Sequence, residues 1–180
     1  TGVGAGCGAA VIGYHIFSHI KVRVAAWQDP FATYSSGGYQ IAQSLFAIGS
    51  GGWFGTGLFK GQPDTIPVAE TDLIFSAITE EMGMIFSLCL ILICVSCYVM
   101  FLNIAMELRN QFYKLVALGL GTVYAFQVFL TIGGVTKFIP STGVTIPLVS
   151  YGGTSVISTL IILNIIQGLH MLADSEEEEY

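Results

Sequence analysis

Charge is scarce in this chain: of 180 residues, six are Lys or Arg and twelve are Asp or Glu, 10% in all. A soluble domain carries about a quarter charged residues. So little charge, beside 53% apolar residues and a mean hydropathy of +0.73, excludes an ordinary water-soluble fold and predicts an integral membrane protein. The basic residues are scattered, with no aromatic-basic surface among them, which argues against nucleic acid as a partner. Histidine is almost absent, and His15, His19 and His170 fall at the edges of apolar segments, where an interfacial place suits them better than catalysis. The four cysteines, Cys7, Cys89, Cys94 and Cys97, all lie in apolar runs. Cys94 and Cys97 have a C-x-x-C spacing but no second pair, and they read as small packing residues. The first apolar segment shows none of the basic n-region and cleavage pattern of a signal peptide, and the chain is expected to be a piece of a larger protein, cut inside or just before a span.

Long apolar runs are what the sequence has instead. A spanning helix needs about 20 mostly apolar residues, which predicts an all-α polytopic membrane protein. Residues 1–180 form one membrane unit with four transmembrane helices, at about 1–17, 73–106, 115–132 and 150–172. The second is longer than a bilayer requires; its charge-free part starts at Met84, and 73–83 reads as a sheltered entrance turn with Thr71 or Asp72 as N-cap. The 106–114 connection holds Arg109 and Lys114 and the next only Lys137, so the former is expected on the cytoplasmic side and the large loop 18–72 outside. Much of the net charge of −6 is the run Glu176–Glu179, which makes 173–180 a solvated cytoplasmic tail.

The loop is patterned. Ile41, Leu45 and Ile48 share one stripe of a helix over 39–48, as in an interfacial helix. The stretch Gly49-Ser50-Gly51-Gly52-Trp53-Phe54-Gly55-Thr56-Gly57 follows, dense enough in glycine for left-handed turns and close backbone approach to a ligand, with Trp53 and Phe54 suited to headgroup level. It lacks the Lys-Ser/Thr ending of a phosphate-binding P-loop. The 133–153 connection is broken by Gly133, Gly134, Pro140, Gly143, Pro147, Gly152 and Gly153. Backbone so interrupted cannot face lipid. Its hydroxyls, from Ser141, Thr142, Thr145, Ser150, Tyr151, Thr154 and Ser155, either line a cavity or cap an elbow into the last span.

Three carboxylates sit at the head of the second span. A charge at the centre of a spanning helix costs roughly 2.5–3.5 kcal/mol on insertion scales, so Asp72, Glu80 and Glu81 must face protein or water. An acid so placed is a functional-site candidate. Adjacent helical positions point about 100° apart, so only one of Glu80 and Glu81 shares a cavity with Asp72. Holding neighbouring helices by hydrogen bonds suits the pair better than chemistry.

The runs Arg23-Val24, Asp29-Pro30, Gly38-Tyr39, Gln43-Ser44, Ala47-Ile48-Gly49-Ser50-Gly51-Gly52, Pro67, Thr71-Asp72, Glu81-x-Gly83 and Pro140-x-x-Gly143-x-x-x-Pro147-x-Val149-Ser150-Tyr151-Gly152-Gly153 closely resemble the SEDS family, the RodA/FtsW-like shape, elongation, division and sporulation proteins. The resemblance covers nearly the whole chain. It implies the last four spans of a ten-span bacterial inner-membrane peptidoglycan glycosyltransferase that polymerises lipid II and works with a class B penicillin-binding protein. The family's essential carboxylate falls on Asp72, whose chemistry suits a general base for the acceptor sugar hydroxyl. The departing undecaprenyl pyrophosphate needs cations, for which Arg23, Lys21, Lys60 and Lys137 are the candidates, Arg23 foremost because its planar fork matches phosphate oxygens. Ser150 and Tyr151 join them as candidate substrate contacts, and Glu80, Glu81 and Thr71 as supporting residues. A divalent cation, Mg or Mn, is compatible with such chemistry, although the three acids form no recognisable ligand set. Glu70 stands where the family commonly has His or Lys, and Leu73 where it has Phe, so the field at Asp72 is more negative than usual. Leu45-Phe46 looks like the division branch and Thr142 like the elongation branch, which leaves elongation, division and sporulation open. A lipid II flippase or other transporter, and a non-catalytic scaffold for the transpeptidase, are the rival functions.

Overall fold

Among the described residues three helices are long and apolar enough to cross a bilayer, and every proline of the chain lies outside them. The computed structural model describes residues 17–62, 66, 67 and 69–178, with side chains as far as Ser175. In chain order come α1 (Ser18–Gln28), a 3-10 turn (Tyr34–Ser36), α2 (Tyr39–Gly51), α3 (Ile74–Glu107), α4 (Gln111–Val135) and α5 (Gly153–Glu178), with no strand among the described residues. The protein is thus an all-α polytopic membrane protein with α3, α4 and α5 as its described spans. The expected span at 1–17 lies outside the described residues but for Phe17. The three spans match the sequence expectation with ends moved by up to six residues, and α1 is an element that the sequence did not announce.

α3 and α4 form a hairpin joined at 108–110, where Asn110 caps α4 by accepting the Phe112 N–H at 2.9 Å. Their seam and α5 enclose one core of Phe101, Ile104, Ala105, Ala117, Tyr124 and Ile166, with the Phe101 and Tyr124 rings edge to face at 5.3 Å. Cys94 packs in this core as a free thiol, in keeping with a packing role for the C-x-x-C pair. Leu92 and Ile93 point outward, 66% and 60% exposed, as lipid-facing residues do. A second core lies at the opposite end, where Ala47 of α2, Leu73, Phe75 and Ala77 at the head of α3, Val135 at the end of α4 and Ile146 meet. That end carries the site.

α3 is two helices in line. At Gly83 the backbone leaves the helix (φ 88°, ψ 169°), separating Ile74–Met82 from Met84–Glu107. The second part alone measures ~36 Å at 1.5 Å per residue, enough for the ~30 Å hydrocarbon core, so the break sits at the bilayer boundary. A broken helix leaves orphan N–H and C=O groups, and the glycine-rich turn after α2 bonds two of each. Met84 and Ile85 N–H donate to the Gly52 and Trp53 carbonyls at 2.9 and 3.3 Å; Thr56 and Gly57 N–H donate to those of Glu80 and Glu81 at 2.9 and 3.0 Å. Thr56 Oγ1 adds a second bond to the Glu80 carbonyl at 3.0 Å, and buried Thr79 and Ser87 join hydroxyls across the break at 2.7 Å.

Glycine density in 49–57 therefore serves approach to another backbone, not to a ligand: a Cβ on Gly51 would overlap the Thr79 carbonyl, and one on Gly55 that of Glu81. α2 likewise turns its small residues, Ala42, Ser44, Ala47 and Gly51, inward, while Phe46 remains outside. Two further expectations are corrected. α3 starts after Leu73 with no side-chain cap, because the Asp72 carboxylate is turned to Thr71 and Gly143 instead. The acidic run does not begin as a free tail, since α5 continues to Glu178.

Gly83→Ala should lower the thermal midpoint of the detergent-solubilised full-length protein. The positive φ alone costs roughly 1–3 kcal/mol, and the new Cβ would press on Trp53 O and Gly55 N. Gly119→Ala, in an open part of α4 with nothing near its Cβ, is the control and should leave the midpoint unchanged or slightly raised.

Candidate functional site

Asp72 lies just ahead of α3 at the boundary end of the bundle. It is half-buried, and its Oδ1 accepts the Thr71 hydroxyl at 3.0 Å. Its Oδ2 faces Gly143 of the α4–α5 connection. A Cβ there would sit 3.9 Å from Asp72 Oδ2 and 3.9 Å from both terminal nitrogens of Arg23. Carboxylate and guanidinium thus converge on one glycine, whose left-handed backbone (φ 72°) and missing side chain leave the space between them open. Thr131, Gly134, Ser141 and Thr142 complete the narrow cleft around Asp72.

α1 works as a strap across the connection. Arg23 Nη1 donates to the Ser141 carbonyl at 3.1 Å, and one turn later Trp27 Nε1 donates to the Lys137 carbonyl at 3.0 Å. From below, Thr131 Oγ1 donates to the Val144 carbonyl at 2.9 Å. The head of α3 is fixed by a buried triad: Ser44 and Ser76 share a hydrogen bond of 2.6 Å, and Ser44 Oγ also reaches the Val135 carbonyl at 3.2 Å. Three elements meet there, one turn along from Asp72.

The remaining candidates lie apart from this cleft. Lys21 is exposed on α1, and Lys60 is exposed in the loop, its aliphatic carbons against Gly57. Lys137 takes part through its backbone, at positive φ (61°). Ser150 is buried, its hydroxyl accepting the Ile146 N–H at 2.9 Å to close a turn. Tyr151 is 78% exposed, while its N–H donates to the Glu70 carbonyl at 2.7 Å and so ties the Asp72 segment to the start of α5. Glu80 is buried, with Oε1 taking the Gln62 N–H at 3.3 Å and Oε2 without a partner among the described residues; Glu81 is half-buried, and both crowd Gly61. The pair holds the loop to α3 rather than helix to helix, and neither lines the cleft around Asp72. His170 pairs with Asp174 at 3.4 Å near the far end of α5.

Among the described residues no group of three or more His, Cys, Asp or Glu is close enough to hold a metal ion. Among the described residues Asp72 has the Thr71 hydroxyl and no second carboxylate beside it, and these alone do not fit a protein-held divalent ion. An apolar hollow of about 330 Å³ between α3 and α4, lined by Ile91, Val95, Val128, Phe129 and Ile132, offers little for chemistry. Trp27 and Thr131 were not anticipated as site residues. The one trace they left is spacing: Trp27 is four residues after Arg23, and Thr131 ten before Ser141.

A polytopic helical membrane protein with one acid and one guanidinium facing each other at the bilayer boundary, and a glycine-held connection between them, is the class that fold and site define. Residues 3–175 match the FtsW/RodA/SpoVE family, described as cell cycle protein, and the chain belongs to that family. It is 45% identical over 156 residues to the peptidoglycan glycosyltransferase RodA of Mycobacterium tuberculosis H37Rv, covering 87% of this chain and 33% of that protein. To the probable peptidoglycan glycosyltransferase FtsW of Saccharophagus degradans it is 36% identical over 162 residues (87% and 42%), and to that of Bacillus subtilis 35% over 159 residues (87% and 40%). The chain therefore spans between a third and under half of the length of these relatives.

Ser44→Ala and Ser76→Ala should each destabilise the protein by roughly 1–3 kcal/mol, the cost of stranding a buried polar partner. The double variant should cost less than the two together, a coupling read from a double-mutant cycle on thermal or denaturant midpoints.

Proposed function

We propose that the full-length protein is a peptidoglycan glycosyltransferase that polymerises lipid II at the outer face of the bacterial inner membrane, serving elongation, division or sporulation alongside a class B penicillin-binding protein. The observation that carries this reading is the convergence of Asp72 and Arg23 over Gly143. The relatives' names supply the reaction class. Asp72 takes the proton of the acceptor sugar's 4-hydroxyl as that oxygen forms its bond to the donor's anomeric carbon. The bond from that carbon to the diphosphate breaks, and undecaprenyl pyrophosphate leaves with the electron pair. Arg23 meets the charge that builds on the leaving oxygens, its planar donor fork matching them. Thr71 holds the carboxylate by its hydroxyl, and the strap of α1 holds the guanidinium.

A flippase reading would draw on the broken helix, since discontinuous helices with free backbone ends mark transporter sites. Here the chain's own loop occupies two N–H and two C=O groups of those ends, which leaves fewer for a passing substrate.

In a detergent assay of the full-length protein with its transpeptidase, Asp72→Asn should lower lipid II polymerisation by roughly 10²–10⁴-fold, the usual contribution of a positioned base, with the thermal midpoint kept. Arg23→Lys should retain more activity than Arg23→Ala, with both below wild type. Polymer formed at the wild-type rate by Asp72→Asn would remove the base from the mechanism and favour a scaffold.

A further inference from the structure

Beside Gly143 a second hollow opens between α4 and α5, with Arg23 outside its lining. It holds about 500 Å³ and shares Gly143 and Val144 with the Asp72 cleft. Its walls are uncharged and polar: Gln127 from α4, Thr145 from the connection, and Thr154, Ser155 and Ser158 from the first turns of α5. Gln127 Nε2 donates to the Thr145 carbonyl at 3.0 Å and to Ser155 Oγ at 3.1 Å, and Thr145 Oγ1 donates to Ser155 Oγ at 2.8 Å. These bonds hold the walls in place. Among the described residues they leave the exposed Thr154 hydroxyl without a partner, and the exposed Ser158 Oγ bonded to the Ser155 carbonyl of its own helix at 2.9 Å.

Depth makes this arrangement informative. Gln127 lies eight residues before the end of α4, ~12 Å along its axis, which sets it below the bilayer boundary. A side-chain amide and a row of hydroxyls at that level are unfavourable against lipid and mark a cavity with a polar occupant. The charge pattern selects among occupants. Among the described residues no cation lines the hollow, so a diphosphate gains nothing by entering it, and the guanidinium that would receive a diphosphate lies near Gly143 but outside this lining. Neutral donors and acceptors spread over several walls match a ring bearing hydroxyl and amide groups.

We infer that this recess is a saccharide subsite, in which Gln127, Thr145, Thr154 and Ser158 hold a sugar of the lipid-linked substrate while its diphosphate lies at Arg23. The inference rests on the glycosyltransferase reading and adds to it where the sugar sits. Thr154 and Ser158 are then binding residues that set the affinity for the glycan and take no part in proton transfer.

The test uses the full-length protein carrying Asp72→Asn, to stop turnover, together with Ser158→Cys. Asp72→Asn alone serves as the background for the native cysteines. Labelling of position 158 by a small maleimide is timed with no addition, with lipid II, and with undecaprenyl pyrophosphate, which lacks the sugars. Lipid II should slow labelling severalfold and the sugar-free lipid should not. In the protein with Asp72 intact, Thr154→Val and Ser158→Ala should raise KM for lipid II severalfold with kcat nearly unchanged. Equal protection by both lipids would assign the recess to the lipid or diphosphate and overturn the inference. So would protection by neither, or a position 158 that resists labelling without any ligand, which would mean that protein covers it. Absence of polymerisation by the wild-type preparation, with the protection pattern intact, would instead strike the glycosyltransferase reading and leave the subsite standing.

Discussion

Backbone hydrogen bonding at the bilayer boundary is the constraint from which the rest of this structure follows. A helix that must cross the membrane and also present an acid at its mouth cannot simply continue, because a straight α3 would carry Glu80, Glu81 and Asp72 along one rod. Breaking it at Gly83 frees the first nine residues to take another direction, but exposes N–H and C=O groups where water is scarce. The glycine-rich turn after α2 supplies partners for both broken ends, and its approach is so close that Gly51, Gly55 and Gly83 admit no side chain. Loop, break and half-helix are therefore one unit. The position of Asp72 is set by a backbone junction eleven residues away.

That unit is seated by small polar contacts rather than by bulk. The apolar cluster at the Asp72 end supplies area, while direction comes from hydroxyls: Ser44 with Ser76 and Val135, Thr79 with Ser87, Thr131 with Val144. Such bonds fix register between helices because a buried hydroxyl has few ways to be satisfied. α1 then crosses the α4–α5 connection, donating from Arg23 and Trp27 to two of its carbonyls. Arg23 consequently has two duties. One of its nitrogens anchors the connection, and the planar group as a whole remains turned toward Gly143, with donors to spare for an anion.

Much of this was legible in the sequence, and the parts that were not share a cause. Long apolar runs gave the three spans, because hydropathy over some 20 residues is a local property. The charge-free stretch starting at Met84 also marked where the spanning part begins, close to the actual break. Asp72 stood out because an acid there needs a reason, and Arg23 because of the motif around it. What escaped were pairings between distant segments. The glycines of 49–57 signalled close approach, but nothing local says whether the approaching group is a ligand or the backbone of residues 79–83. Ser150 and Lys137 carry the right chemistry for a substrate contact, yet the fold uses the Ser150 hydroxyl to close a turn and the Lys137 carbonyl to receive Trp27. α1 has an almost featureless face pattern, which is why no periodicity betrayed it; its role lies in two side chains that reach over a hundred residues along the chain.

Gly143 borders two different surroundings. Asp72 and Arg23, which carry charge, converge on it, and it also belongs to the hollow walled by the neutral Gln127, Thr145, Thr154 and Ser158. A substrate that joins a diphosphate to a sugar presents the same division within a few bonds, strongly charged on one side of the anomeric carbon and uncharged on the other. A side chain at Gly143 would enter the space between Asp72 and Arg23, and the left-handed backbone would resist it as well. Under the glycosyl transfer proposed above, a residue without a side chain keeps that space free for the anomeric carbon, and the proposed reacting bond lies there.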